Sequence, residues 1–216
     1  MERPWILKAV ALLLALGKTA MSPHSVAFGS VLIDINHVEG NAYVNEQRLE
    51  PSATPFRIMA NSVVRTEDGQ VEIFLYESVL VFLGKHTSLR IANNSPYNSP
   101  RLELLTGSTI VATGDMGSLV TCENTVTLSH SGLYRFDVHH LPAVEPPSGV
   151  KLCGLRVTKG AAAVQLMTVV SVLTRGDFMS LSLGCGDLIP IQKFNVEETD
   201  NLDDWSRGRL RLRGAQ

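Results

Sequence analysis

Three cysteines and six histidines are the residues of this 216-residue chain whose types most readily do chemistry. The cysteines stand at Cys122, Cys153 and Cys185, with no Cys-x-x-Cys pair among them, so their spacing argues against a zinc site. In an oxidising compartment one pair could close a disulfide and leave one thiol. Cys153–Cys185 is the favoured pair, and three buried cysteines acting as small hydrophobes is the alternative. Of His24, His37, His86, His130, His139 and His140, only His139-His140 form a cluster. Neighbours on a strand point to opposite faces, so those two rings do not readily share a metal, and a strand end entering a loop is the plainer reading. Cys122 and His130 have the types of a nucleophile and its base, but nothing local supports the pairing.

Charge clusters near the C-terminus. Glu197-Glu198 and Asp203-Asp204 lack the spacing and glycine of a calcium loop and read as a solvated acidic face. Arg207, Arg209, Arg211 and Arg213 alternate with small or apolar residues. Such a run could touch anionic lipid or nucleic acid, but in a tail it is ordinarily solvated. Trp205 between the two clusters reads as an anchor packed back on the domain. No glycine-rich phosphate loop occurs. The expectation is a protein without catalytic residues, metal or cofactor, and not an enzyme.

The elements that carry these residues follow from length and patterning. At about 150 residues per domain the chain holds one domain or two small ones. Hydrophobic residues are 44% and charged residues 19%, which excludes bulk disorder. Lys+Arg number 19 against 21 Asp+Glu, so the basic excess of a nucleic-acid protein is missing.

Arg3 and Lys8 precede an apolar run, 9–17, that is too short to stay in a membrane. A basic start, a short apolar middle and small residues at Ser25-Val26-Ala27 are the parts of a cleavable export signal. Residues 1–27 are therefore assigned as a signal peptide, 28–194 as a β-domain and 195–216 as an acidic-then-basic tail. No later run is apolar for long enough to span a membrane after processing. The expected location is periplasmic or extracellular.

Residues 28–194 read as strands. Val71–Tyr76, Ser88–Ala92, Arg101–Leu104, Ser118–Thr121, Tyr134–Val138, Leu155–Thr158, Ala163–Leu166 and Phe178–Leu183 alternate or nearly so. Val79–Leu83 is continuously apolar, as in a strand buried on both faces. Asp68-Gly69 predicts a hairpin, and Gly107, Gly160, Gly176 and Gly184–Asp187 predict tight reversals. Loops are expected at 93–100 and 141–149, where prolines gather. The fold class is all-β: stacked antiparallel strands in a sandwich or solenoid-like arrangement. A signal helix precedes it, and a short helix over 200–207 or a frayed tail follows.

The order of these segments resembles the extracytoplasmic domain of the FecR family. Ser62–Ile73 is similar to that family's Val-x-Thr step and acidic-Gly hairpin, and Thr87–Ile91 to the strand after it. Leu104–Val111, Gly132–Val138 and Leu155–Val164 are similar to its later strand-Gly-strand units, so the resemblance spans roughly residues 38–190. Where the family strand after the hairpin often ends in Asp-Gly-Ser, this chain has Leu75-Tyr76-Glu77-Ser78. Only a few residues precede the apolar run, where the family's regulators carry a segment that grips a sigma factor.

The resemblance implies a FecR-type sandwich and a binding role. The expected function is an exported, non-enzymatic module that recognises an envelope or membrane protein, or a glycan, and no nucleic acid. The alternative is an extracytoplasmic component of a sigma-factor/anti-sigma signalling system. An envelope hydrolase would need paired carboxylates or a triad assembled by folding.

Overall fold

The computed structural model of the chain describes residues 33–75, 78–92, 101–114, 118–122, 124–128, 131–140, 151–166, 169–181 and 190–214. The export signal, both proline-rich loops and the Gly184–Asp187 turn lie outside these residues. The described residues belong to one unit, Val31–Gln216.

Among the described residues seventeen strands are divided between two layers. In chain order they are β1 (Ile33–Glu39), β2 (Ala42–Val44), β3 (Gln47–Arg48), β4 (Phe56–Ile58), β5 (Val63–Thr66), β6 (Gln70–Leu75), β7 (Val79–Leu83), β8 (Ser88–Ala92), β9 (Arg101–Thr113), β10 (Ser118–Cys122), β11 (Asn124–Leu128), β12 (Gly132–His140), β13 (Lys151–Lys159), β14 (Ala161–Leu166), β15 (Val169–Thr174), β16 (Asp177–Ser180) and β17 (Gln192–Lys193). Among the described residues one helix, α1 (Asn201–Gly214), follows the strands.

The first layer runs β4-β1-β6-β7-β9-β12-β13-β16-β17, antiparallel throughout. The second runs β3-β2-β5-β8-β9-β10-β11-β14-β15, with β9 and β10 parallel and the other pairs antiparallel. Strand β9 belongs to both. Its first half pairs with β8 and β10, and its second half with β7 and β12. The all-β class and the C-terminal helix match the sequence reading.

Gly107 does not reverse the chain as the sequence suggested. It is where β9 passes from one layer to the other with φ +82°. A Cβ there would meet the Thr87 hydroxyl at 2.4 Å and backbone at 2.6 Å, so only glycine fits this crossing. The Asp68-Gly69 hairpin is likewise overturned. β5 lies in the second layer and β6 in the first, so the turn carries the chain across the sandwich. Gly160 and Gly176 also mark layer changes, from β13 to β14 and from β15 to β16.

Buried hydroxyls hold the corners. Thr66, the end of the Val-x-Thr step, donates to the Gly84 carbonyl at 2.6 Å and accepts from the Thr87 amide at 2.9 Å. Thr87 donates to the Ser108 carbonyl at 3.0 Å, beside the β9 crossing.

Alternation fills the space between the layers. Ile33, Ile35, Val71, Ile73, Val81, Leu104, Val111, Tyr134, Phe136, Leu155 and Val164 join one buried cluster. The opposite residues of the central strands form a second cluster. Phe82, Ile110, Leu80, Ala112 and Leu133 face outward and pack under Leu202, Trp205 and Leu210 of α1. This is why Val79–Leu83 carries no polar face: α1 covers the side that would otherwise be wet.

Candidate functional site

The charged residues near the C-terminus divide: Glu197, Glu198, Asp204 and Arg211 are exposed, as their sequence suggested, whereas Asp203, Arg209 and Arg213 are fastened to the sandwich, which corrects the solvated reading for those three. Asp200 caps α1 by accepting the amides of Leu202 (3.0 Å) and Asp203 (3.1 Å). Arg135 projects outward from β12 and is nearly buried. Its guanidinium donates to Asp203 at 2.6 Å and pairs with Asp200 at 2.7 Å and Asp137 at 3.0 Å. Burial opposes the charge on Arg135, but these carboxylates outweigh it and hold the group protonated. The bond from Arg135 holds the Asp200 carboxyl well below the usual range, while burial raises Asp203.

At the other end of α1, Arg209 and Arg213 lie one turn apart and clamp Glu72. Glu72 is fully buried in β6, and Arg209 donates to it at 2.7 Å. Arg213 donates to it at 2.9 Å through Nε and again through Nη2. Between the two ends, Trp205 meets Phe82 edge-on at 5.7 Å and donates from Nε1 to Glu39 at 2.7 Å. That bond lowers the Glu39 pKa. Trp205 is the anchor that its position suggested. The helix extends to Gly214, well past the 200–207 stretch expected.

The remaining predicted groups are dispersed. Cys153 is buried in β13 and disulfide-bonded. Its favoured partner, Cys185, lies outside the described residues. Cys122 ends β10. His37 sits 3.0 Å from Glu39, His86 lies 3.6 Å from Asp68, and His139 is exposed near the end of β12. No group of three metal-ligating residues forms among the described residues. No helix among them is long and apolar enough to cross a membrane.

One cavity has no signal in the residue pattern. It is an open cleft of about 530 Å3 where β3 and β4, the edge strands of the two layers, lie at the same side of the sandwich. Buried Val44, Leu49 and Ile58 line it with half-buried Phe56, and Met59 stands 75% exposed beside it. Its walls are stiff. The β2–β3 turn holds Asn45 and Glu46 at φ 47° and 66°, a conformation the primed hairpin turns require. Asn45 Oδ1 accepts the Val63 amide at 2.9 Å, tying that turn to β5. Arg57 is bound to Asp34 at 3.0 Å, and Arg48 donates to Asn41 at 2.9 Å. Glu50 is the one carboxylate in the lining among the described residues.

Fold and cleft together define a two-layer β-sandwich with a helix docked across one outer face and an open cleft at one edge. Two solved structures are similar to it. Both are crystal structures of a "putative anti-sigma factor" from Parabacteroides distasonis ATCC 8503, at 1.65 and 2.50 Å resolution. They are 13% and 14% identical to this chain, each with a TM-score of 0.48. Each match covers 62% of this chain and 61% of the neighbour, so the likeness spans about three fifths of either molecule. No family model matches the chain, and no curated protein matches it either.

Proposed function

We propose that the chain is an exported, non-enzymatic FecR-like binding module that recognises an envelope protein through the cleft beside β3 and β4. The cleft itself carries this reading. Its volume falls within the roughly 300–1,000 Å3 of ligand sites, and its floor is aliphatic with a polar rim. An aliphatic floor suits an apolar side chain presented by a partner.

The test is a photo-crosslinking residue at Gln47, on the cleft rim, in the full-length chain expressed in a Gram-negative host. The expected result is a single envelope-protein adduct formed outside the cytoplasm, on a chain shortened by about 20–27 residues. Met59→Lys should lose the partner without moving the melting temperature. An uncut cytoplasmic product removes the export part. Capture unchanged by Met59→Lys removes the cleft. A sigma-factor regulator as the adduct converts the reading to the signalling alternative.

A further inference from the structure

The sandwich has four free strand edges among the described residues, and three of them are protected. β3 and β17 are two residues long and β4 three, and each carries a cation: Arg48, Lys193 and Arg57. Short edges with a basic side chain are the usual means of preventing edge-to-edge pairing. The fourth edge is β15, paired only with β14. It is six residues long, reads Val-Val-Ser-Val-Leu-Thr, and holds neither charge nor proline. Val170 and Val172 on it are 62% and 60% exposed. Their neighbours across the outer face are Gln165 and Ala163 of β14, then Thr125 and Thr127 of β11, all uncharged.

We propose that β15 pairs antiparallel with β15 of a second copy, making a two-fold dimer in which the second layers join into one sheet. The strand is complementary to itself. Centred on Ser171, the pairing sets Val170 opposite the partner's Val172, and Val172 opposite the partner's Val170. A two-fold interface requires this reciprocity. Both valine pairs then stand on the exposed face, where cross-strand β-branched pairs contribute to sheet stability. Leu173 already faces the core, so pairing needs no rearrangement inside the sandwich. Ala163 beside Val172 is small, which leaves the valine standing clear of its own sheet. A second copy brings no like charge against this edge. The inference stands apart from the cleft, which uses other strands.

Sedimentation of the mature chain across a concentration series tests it. The expected result is a reversible dimer that Val172→Lys weakens at least tenfold without a change in the melting temperature of the dilute, monomeric chain. Val170→Lys, at the opposing position, should do the same. Register is read separately by cysteine exchange. Mixed Val170→Cys and Val172→Cys chains should crosslink readily, because directly opposed positions bring their Cβ atoms within disulfide range. Either variant alone should crosslink far less. A chain that stays monomeric up to ~100 μM, where a specific micromolar dimer would be nearly complete, overturns the proposal. So does a dimer indifferent to both lysines, or crosslinking no greater in the mixture than in the single variants.

Discussion

Replacing Arg209 and Arg213 together with methionine would leave the Glu72 carboxylate in an outward-facing but fully covered position with no cation. Removing one side of a buried ion pair costs about 3–5 kcal/mol, because the charge left behind is neither hydrated nor paired. The lower end applies here, about 3 kcal/mol, since the two arginine side chains are 24% and 36% exposed and water already screens the pairs they make. The docking energy of α1 sets a ceiling, because the helix can lift and admit water to Glu72. For a domain of this size, about 3 kcal/mol lowers the melting temperature by about 6–12 °C. Adding Glu72→Met removes the stranded charge and should return the triple variant to within about 1 kcal/mol of the parent. Urea unfolding would report these values from the shift in midpoint at constant slope. In a Trp5→Phe background Trp205 is the only tryptophan, so its emission shows whether the helix stays down. A double variant within about 0.5 kcal/mol of the parent would refute the reasoning. So would a triple variant no more stable than the double, for then the clamp on Glu72 is not what fastens the helix.

Three further outcomes follow from the same geometry. Asp200 is held below its ordinary pKa by Arg135, so the stability it contributes is present above about pH 4 and is lost as pH falls further. Asp200→Asn should cost less than about 1 kcal/mol at neutral pH and flatten that acid loss, read from melting curves between pH 2.5 and 6. Gly107→Ala should destabilise by about 2 kcal/mol or more in chemical unfolding, since the strained φ and the contact with Thr87 add together. For the disulfide of Cys153, the non-reduced mass of Cys185→Ser should gain the hydrogen of a freed Cys153 thiol, whereas Cys122→Ser should leave the bridge intact.

Strand identity was legible because alternation is a local property. Val71–Tyr76 and Tyr134–Val138 state their period within a handful of residues. The corners were misread for the same reason. Asp68-Gly69 announces a turn, but nothing near it says which layer receives the next strand. That is decided by Val63–Arg65 pairing with β8 and by β6 pairing with β7. The helix was underestimated because its partners are remote in sequence. Glu72 lies 137 residues from Arg209, and Arg135 lies 68 from Asp203. Two signals could have exposed the docking surface. One is a glutamate in the apolar run Val71–Leu75, and the other is an Arg-x-Asp pair inside β12. A charge inside a strand that is otherwise apolar on both faces implies an opposite charge arriving from elsewhere. The cleft had no such signal, since it arises from two strand edges that only the completed fold brings together.

The cleft and the free edge are separated by the whole width of the second layer, which begins at β3 and ends at β15. A dimer through β15 therefore keeps both clefts open, one at each outer end of the joined sheet. Such a dimer is divalent toward any partner displayed in many copies. Binding at the second cleft becomes intramolecular, and avidity rises by about 10²–10⁴ over the single-site affinity where the spacing allows both to engage. Val172→Lys should then remove the avidity and leave the single-site affinity intact, whereas Met59→Lys should lower the single-site affinity and leave the dimer intact. Because the two variants act on different quantities, the edge and the cleft can each fail without the other.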